Sequence, residues 1–197
     1  VPAGSRTEQE VLDAARDCIL AVGWRRTTLT EIARRAGVSR MTIYRLWPDT
    51  QGLLADLLTR EWTALDAAVA DRTGEPDPAD PHLASVLAAL IVSTVQALRE
   101  DPLFKRIVEV DPELLLPYLL ERRGRSQQMT LDRLTQAITA GVTAGTLRPV
   151  DPDHVARALL LTGHGFVLSA QTMTGRGIST DDLDRQLAEM VTGYLRP

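Results

Sequence analysis

The stretch Thr28–Trp47, TLTEIARRAGVSRMTIYRLW, constrains the fold more than any other, because its signals fix two short helices and the turn between them. Thr28-x-x-Glu31 has the spacing of a capping box, in which the threonine hydroxyl accepts an orphan helix N–H and the glutamate reaches back. Leu29, Ile32, Ala33 and Ala36 recur at helical spacing, so one face is buried and Arg34 and Arg35 are left outside. Gly37 supplies the left-handed residue that stops this helix. Ser39 caps the second helix, on which Ile43 and Leu46 point inward. Two helices joined this tightly form a helix-turn-helix, whose second helix can lie in a DNA major groove.

Charge points the same way. Between Trp24 and Trp47, Arg25, Arg26, Arg34, Arg35, Arg40 and Arg45 stand against Glu31 alone, although the whole chain is formally −4. A positive patch on an acidic protein attracts phosphate while the remaining surface stays soluble.

The rest of the chain reads as helix. Its 197 residues fit one domain, or one domain plus a small one, and 44% apolar residues suffice for a core. Aromatics are scarce at 4% while alanine and leucine dominate, which favours helix over sheet. After a lead-in, VPAGSR, Thr7-x-x-Glu10 predicts a capped helix that buries Val11, Ala15, Cys18, Ile19 and Val22 and ends at Gly23. Pro48 and Asp49 close the second motif helix and cap a long one reaching about Arg72, with Leu54, Leu58, Trp62, Leu65 and Val69 in a stripe. Thr73–Pro81, TGEPDPADP, is the clearest loop. Four Asp-Pro pairs then punctuate the chain, at Asp80, Asp101, Asp111 and Asp151, each placing a capping acid before a proline suited to the first helical turn. The helices this predicts are 81–100, 102–110, 112–123, 126–145 and 152–174, with a last one from Ser179 or Thr180 to Leu195; Pro117 should kink or break its own.

The expected architecture is therefore all-α: an N-terminal three-helix helix-turn-helix domain, residues 6–52, and a C-terminal helical domain, residues 53–197, sharing a linking helix at about 50–72. Cys18 is the only cysteine, so no internal disulfide is possible and a reducing cytoplasm is the simplest compartment. No basic-then-apolar signal segment opens the sequence. The most apolar stretch, Val86–Val95, is interrupted too soon to span a bilayer, so no membrane partner is expected. In the last two helices, Leu183, Leu187, Met190, Val191 and Tyr194 form a narrow seam, and Leu159, Thr162, Gly163, Phe166 and Ala170 offer a second face. These faces either serve the chain's own core or join a second copy in a four-helix bundle.

The segment Thr27–Leu58, TTLTEIARRAGVSRMTIYRLWPDTQGLLADLL, closely resembles the N-terminal domain of the tetracycline-repressor (TetR) family of transcriptional regulators. The resemblance rests on the threonine-rich start, the I-A-x-x-A-G-V-S turn and the T-x-Y-x-x-aromatic-P run, and covers about the first third of the chain. It implies a cytoplasmic homodimer that binds a palindromic operator in double-stranded DNA and lets go when a small molecule enters the C-terminal domain. Dimerisation would hold two recognition helices about one DNA turn apart, roughly 34–36 Å. Carried over position by position, Thr28 contacts phosphate, and Ser39, Arg40, Met41, Thr42 and Tyr44 face the groove. Arg45 stands where the family often has an aromatic that touches the backbone. Leu46 stands where a histidine is common. Thr50 stands where a lysine usually opens the next helix, which leaves it a neutral phosphate contact aided by its helix N-terminus.

The helices expected over 81–100, 112–123 and 126–145 can surround a cavity, and Trp62, Gln96, Phe104, Tyr118, Met129 and His164 are the candidates to line it for a hydrophobic or amphipathic small molecule. Leu159, Gly163, Phe166, Ala170, Leu187 and Val191 are the expected dimer interface. No cofactor and no metal is expected. An enzyme finds little support: His82, His154 and His164 make no metal-ligand pair, no second cysteine exists for a zinc site, and no P-loop or dinucleotide fingerprint occurs. A helical ligand- or partner-binding module without DNA function is the other alternative, and a salt-sensitive gel shift separates it from a repressor.

Overall fold

A computed structural model describes residues 5–197, and these carry ten α-helices that fall into two compact units. The first unit comprises residues up to Thr63 together with Glu100–Gly124; the second comprises Ala64–Arg99 and Arg125–Pro197.

In the first unit, α1 (Arg6–Val22), α2 (Leu29–Ala36), α3 (Arg40–Leu46) and the start of α4 (Thr50–Thr73) surround a core of Val11, Ala15, Cys18, Ile19, Ile32, Ile43, Leu53 and Leu57. The helix α1 begins earlier than its sequence suggested. Its cap is Ser5, whose hydroxyl accepts from Glu8 N while the Glu8 carboxylate accepts from Ser5 N, so the box lies two residues upstream of Thr7. The rest of the expected lead-in lies outside the described residues. Trp47 closes α3 buried, its indole Nε1 donating to Asp56 Oδ2 at 2.7 Å. On α4 Leu54 and Val69 of the expected stripe are buried and Leu58, Trp62 and Leu65 half-buried, while Leu53 and Leu57, which the stripe omitted, are fully buried.

The first unit also takes in α6 (Pro102–Val110), a 3₁₀ turn at Pro112–Leu114 and α7 (Leu116–Leu120). Leu103 and Ile107 are buried in its core, which is why residues expected beyond a boundary at 52/53 belong here instead. The single helix expected over 112–123 is broken: Pro117 sits in the first turn of the short α7, following the 3₁₀ turn.

The second unit holds the end of α4, α5 (Leu83–Glu100), α8 (Arg125–Ala144), α9 (Pro152–Ser169) with a 3₁₀ extension at Ala170–Met173, and α10 (Thr180–Leu195). Leu87, Val95, Leu131, Ile138, Leu147, Val155, Leu159, Leu187, Val191 and Leu195 form its core. At 18 residues and mean hydropathy 1.4, α5 is long and apolar enough to cross a membrane by length and composition, because it extends the Val86–Val95 run at both ends. Leu83, Ala84, Leu87, Ala88 and Val95 nevertheless pack it into the unit's core.

Candidate nucleic-acid interface

Two side-chain caps build the helix-turn-helix. Thr28 Oγ1 accepts from Glu31 N at 3.2 Å, and Ser39 Oγ accepts from Thr42 N at 3.1 Å. Between them Gly37 turns the chain at φ 67°, with its N–H bonded back to the carbonyls of Ala33 and Arg34. Only half of the expected capping box forms at Thr28. The Glu31 carboxylate turns instead to Arg34 and Arg35, accepting at 2.6 and 2.8 Å, and these hydrogen bonds lower its pKa from 4.5 to about 2.

The residues expected to meet DNA divide by what they are free to do. Arg40, Met41, Tyr44 and Arg45 are exposed on α3, opposite the buried Ile43. The Arg40 guanidinium lies 6.0 Å from the Tyr44 ring centroid and its Nη2 is 3.4 Å from the phenol oxygen, so the two side chains lie side by side along one edge of the helix. Thr42 is half-buried and its hydroxyl pairs with Ser39 Oγ at 3.0 Å, so both hydroxyls are engaged in holding the first turn of α3. Thr28 keeps its hydroxyl proton for an external acceptor. Thr50 is exposed at the first residue of α4, and Asp49 Oδ1 accepts from Gly52 N at 2.7 Å. The starts of α2 and α4 face a common open cleft of about 260 Å³, lined by Trp24, Arg25, Thr27, Leu29, Ile32 and Thr50. Positive helix ends on one cleft favour an anion there, although its one arginine, Arg25, is paired with Glu113.

One buried contact went unseen in the sequence. Asp111, 0% exposed, directs its carboxylate at the loop after α1, accepting from Trp24 N at 2.6 Å and Arg25 N at 3.2 Å. The expected cap on the following turn is not made. Arg25 also pairs with Glu113 at 2.5 Å, and Arg106 Nη2 reaches Ala21 O. An Asp-Pro pair signals an N-cap locally; only the packing of α6 against α1 gives this one another use.

The other candidates are dispersed. Trp62, Phe104 and Tyr118 belong to the first unit, each half-buried, with the Arg122 guanidinium 5.5 Å from the Tyr118 ring centroid. Gln96, Met129 and His164 belong to the second. The Gln96 amide is engaged by Asp184 Oδ2 at 2.9 Å, where Arg99 also donates at 2.5 Å. Gln127 Nε2 and His164 Nε2 stand 3.4 Å apart, and burial pushes the His164 pKa down. Four residues expected at a dimer interface, Leu159, Ala170, Leu187 and Val191, are instead buried within the protomer, Leu187 at 0% exposure. The heptad-like seam on α10 faces its own unit, because α10 packs against the same core as α5, α8 and α9. The exposed large apolar side chains of α9 and α10 are Leu161, Met190 and Tyr194.

A capped helix pair, an exposed basic and aromatic second helix and a bracing first helix define a helix-turn-helix DNA-binding protein. Comparison with known proteins narrows this. The family model described as bacterial regulatory proteins, tetR family, matches residues 11–57. An uncharacterised HTH-type transcriptional regulator of Mycobacterium bovis is 34% identical over 189 residues, covering 96% of this chain and 94% of that protein. The chain belongs to the tetR family of transcriptional regulators. The fold agrees: a TetR transcription regulator of Haloarcula marismortui matches with a TM-score of 0.70 at 21% identity, covering 98% of this chain and 100% of that one. The transcriptional regulator FadR of Bacillus subtilis, solved in complex with stearoyl-CoA, matches at 0.64 and 18% identity, covering 93% and 97%.

Proposed function

We propose that the chain is a cytoplasmic homodimeric repressor that holds a palindromic operator through α3 of each subunit and is released by a small hydrophobic or amphipathic effector. The observation that carries this reading is the outward edge of α3, where Arg40, Met41, Tyr44 and Arg45 are exposed over a fully buried Ile43. Residues early on a recognition helix meet base edges, so Arg40 is assigned to base readout. Thr28, Thr50 and the two helix starts at the cleft are assigned to phosphate. The exposed Leu161, Met190 and Tyr194 supply apolar surface for a second copy, whereas Gly163, beside Val95 of α5, and Phe166, packed on the second unit's core, turn inward.

In the second unit the half-buried Met129 and the Gln127–His164 pair are the preferred effector contacts, an apolar surface with a neutral polar anchor. That FadR of Bacillus subtilis was solved with stearoyl-CoA supports an amphipathic ligand on this fold. Residues of both units lie on the single helix α4, which offers a covalent route for coupling. Release follows if the effector binds better to a state whose recognition helices no longer match successive grooves, and the shift cannot exceed that differential affinity.

Selection of bound duplexes from a random pool tests the reading, with a symmetric, salt-sensitive site as the expected result. Arg40→Ala should weaken the selected duplex by about 1–3 kcal/mol and leave a scrambled duplex nearly unchanged. Equal weakening of both would assign Arg40 to phosphate. A pool without any enriched sequence would leave the helical module without DNA function as the better account.

A further inference from the structure

The helix α3 presents one side chain whose chemistry neither phosphate nor the protein core uses. At about 100° per residue, Met41 projects about 160° away from the buried Ile43, flanked by Tyr44 at about 60° on one side and Arg45 at about 40° on the other. It is 75% exposed, an unusual state for a large apolar residue in the middle of a polar arc. The Arg40 side chain lies towards Tyr44, so it does not cover Met41 from its own turn. Met41 is the second residue of the helix, and the first turn of a recognition helix comes nearest the base edges.

A thioether has no N–H or O–H to donate and is only a weak acceptor, so it gains nothing from phosphate oxygens or from most of the groove floor. The major groove offers one apolar group, the C5-methyl of thymine. An unbranched, polarisable side chain can settle over that methyl without demanding one backbone register. We infer that Met41 is a specificity-determining residue that reads thymine, through contact with its methyl group, at one position of each half-site. This rests on the DNA reading above and adds the base that α3 selects from its first turn. Arg40 and Tyr44, held together on the neighbouring edge, read the adjacent pair.

The test uses the full chain and the duplex enriched from a random pool. Each thymine of one half-site is replaced in turn by deoxyuridine, which keeps every hydrogen-bonding edge and lacks only the methyl. At one position the parent protein should bind the deoxyuridine duplex about fourfold more weakly, the effect of one buried methyl. Met41→Ala should bind both duplexes alike, whereas Met41→Leu, of similar volume, should keep the discrimination. Because Met41 is exposed, both variants should unfold at the parent urea midpoint, so a change in discrimination is not a change in folding. If no thymine is sensitive to loss of its methyl, or if Met41→Ala keeps the parent ratio, the inference is wrong while the DNA reading stands. A pool that enriches no duplex overturns both.

Discussion

Replacing Asp111 separates what the sequence implies from what the fold does with it. As an N-cap, Asp111 would be equivalent to Asp101, whose carboxylate accepts from Phe104 N at 2.7 Å, and loss of either would cost about 1 kcal/mol. In the structure Asp111 is wholly buried and serves two amides 86 and 87 residues away in sequence. Hydrogen bonds to a charged acceptor contribute about 1.5–3 kcal/mol each, and orphaned donors lose their partner without full hydration. The 2.6 Å bond from Trp24 belongs at the upper end; the 3.2 Å bond from Arg25, beside an exposed side chain, belongs well below it. Asp111→Ala should therefore destabilise the protein by about 2–4 kcal/mol. Asp111→Asn, which keeps an acceptor for only one amide, should cost about half of that. With a urea slope of about 2 kcal/mol/M, the alanine variant should unfold about 1–2 M earlier, measured at fixed protomer concentration and without DNA. If Asp111→Ala costs no more than Asp101→Ala, the buried bridge adds nothing to a cap and the reasoning fails.

Other consequences follow from the same structure. Glu31 is held near pKa 2 by Arg34 and Arg35, so it contributes stability that is complete above its ordinary value of 4.5 and is lost as pH falls towards 2; an NMR titration of its carboxyl carbon with a midpoint near 4.5 would contradict the pairing. Glu31→Gln should release both arginines, tighten binding to scrambled duplex and steepen its salt dependence, which a salt series on the scrambled probe would show. Gly141→Ala would place a Cβ 2.5 Å from Leu83 Cδ2 and 2.7 Å from Leu147, so it should destabilise by about 1–3 kcal/mol in urea, despite alanine's better helix propensity. Arg176 holds φ 53° at the tip of the Gly175–Ile178 turn, and Arg176→Gly should stabilise by about 0.5–1 kcal/mol; a lower melting temperature would show that its side chain has a role there.

What could be read in advance was local. Caps at Ser39, Asp101 and Asp151, the stop at Gly37 and the apolar face of α1 depend on residues within four positions of one another, so their signals lie together in the chain. The misreadings came where distant partners decide. Thr7 and Ser5 offer the same capping chemistry, and nothing local ranks them. Asp111 looks like its three counterparts until α6 meets α1. The seam Leu187–Val191 has the periodicity of an interface between copies, but periodicity names a buried face without saying what buries it; here it is the chain's own second unit. Tight approach at Gly141 leaves no pattern at all, since a glycine inside a helix reads only as a weak point.

Charge shows the same limit and has a consequence for specificity. Six arginines between Trp24 and Trp47 suggest a strongly cationic surface, but three are paired: Arg34 and Arg35 with Glu31, and Arg25 with Glu113. Arg26, Arg40 and Arg45 are left as the cations of this segment with no carboxylate partner among the described residues. Loose cations raise affinity for every duplex equally, because phosphate carries no sequence. Discrimination is a difference between affinities, so holding down the sequence-independent part enlarges the share decided by base edges. On this view Glu31 has a second role beyond its helix. By restraining Arg34 and Arg35 on α2, it leaves recognition to α3, where Arg40 is aligned against Tyr44 and Met41 stands clear of both.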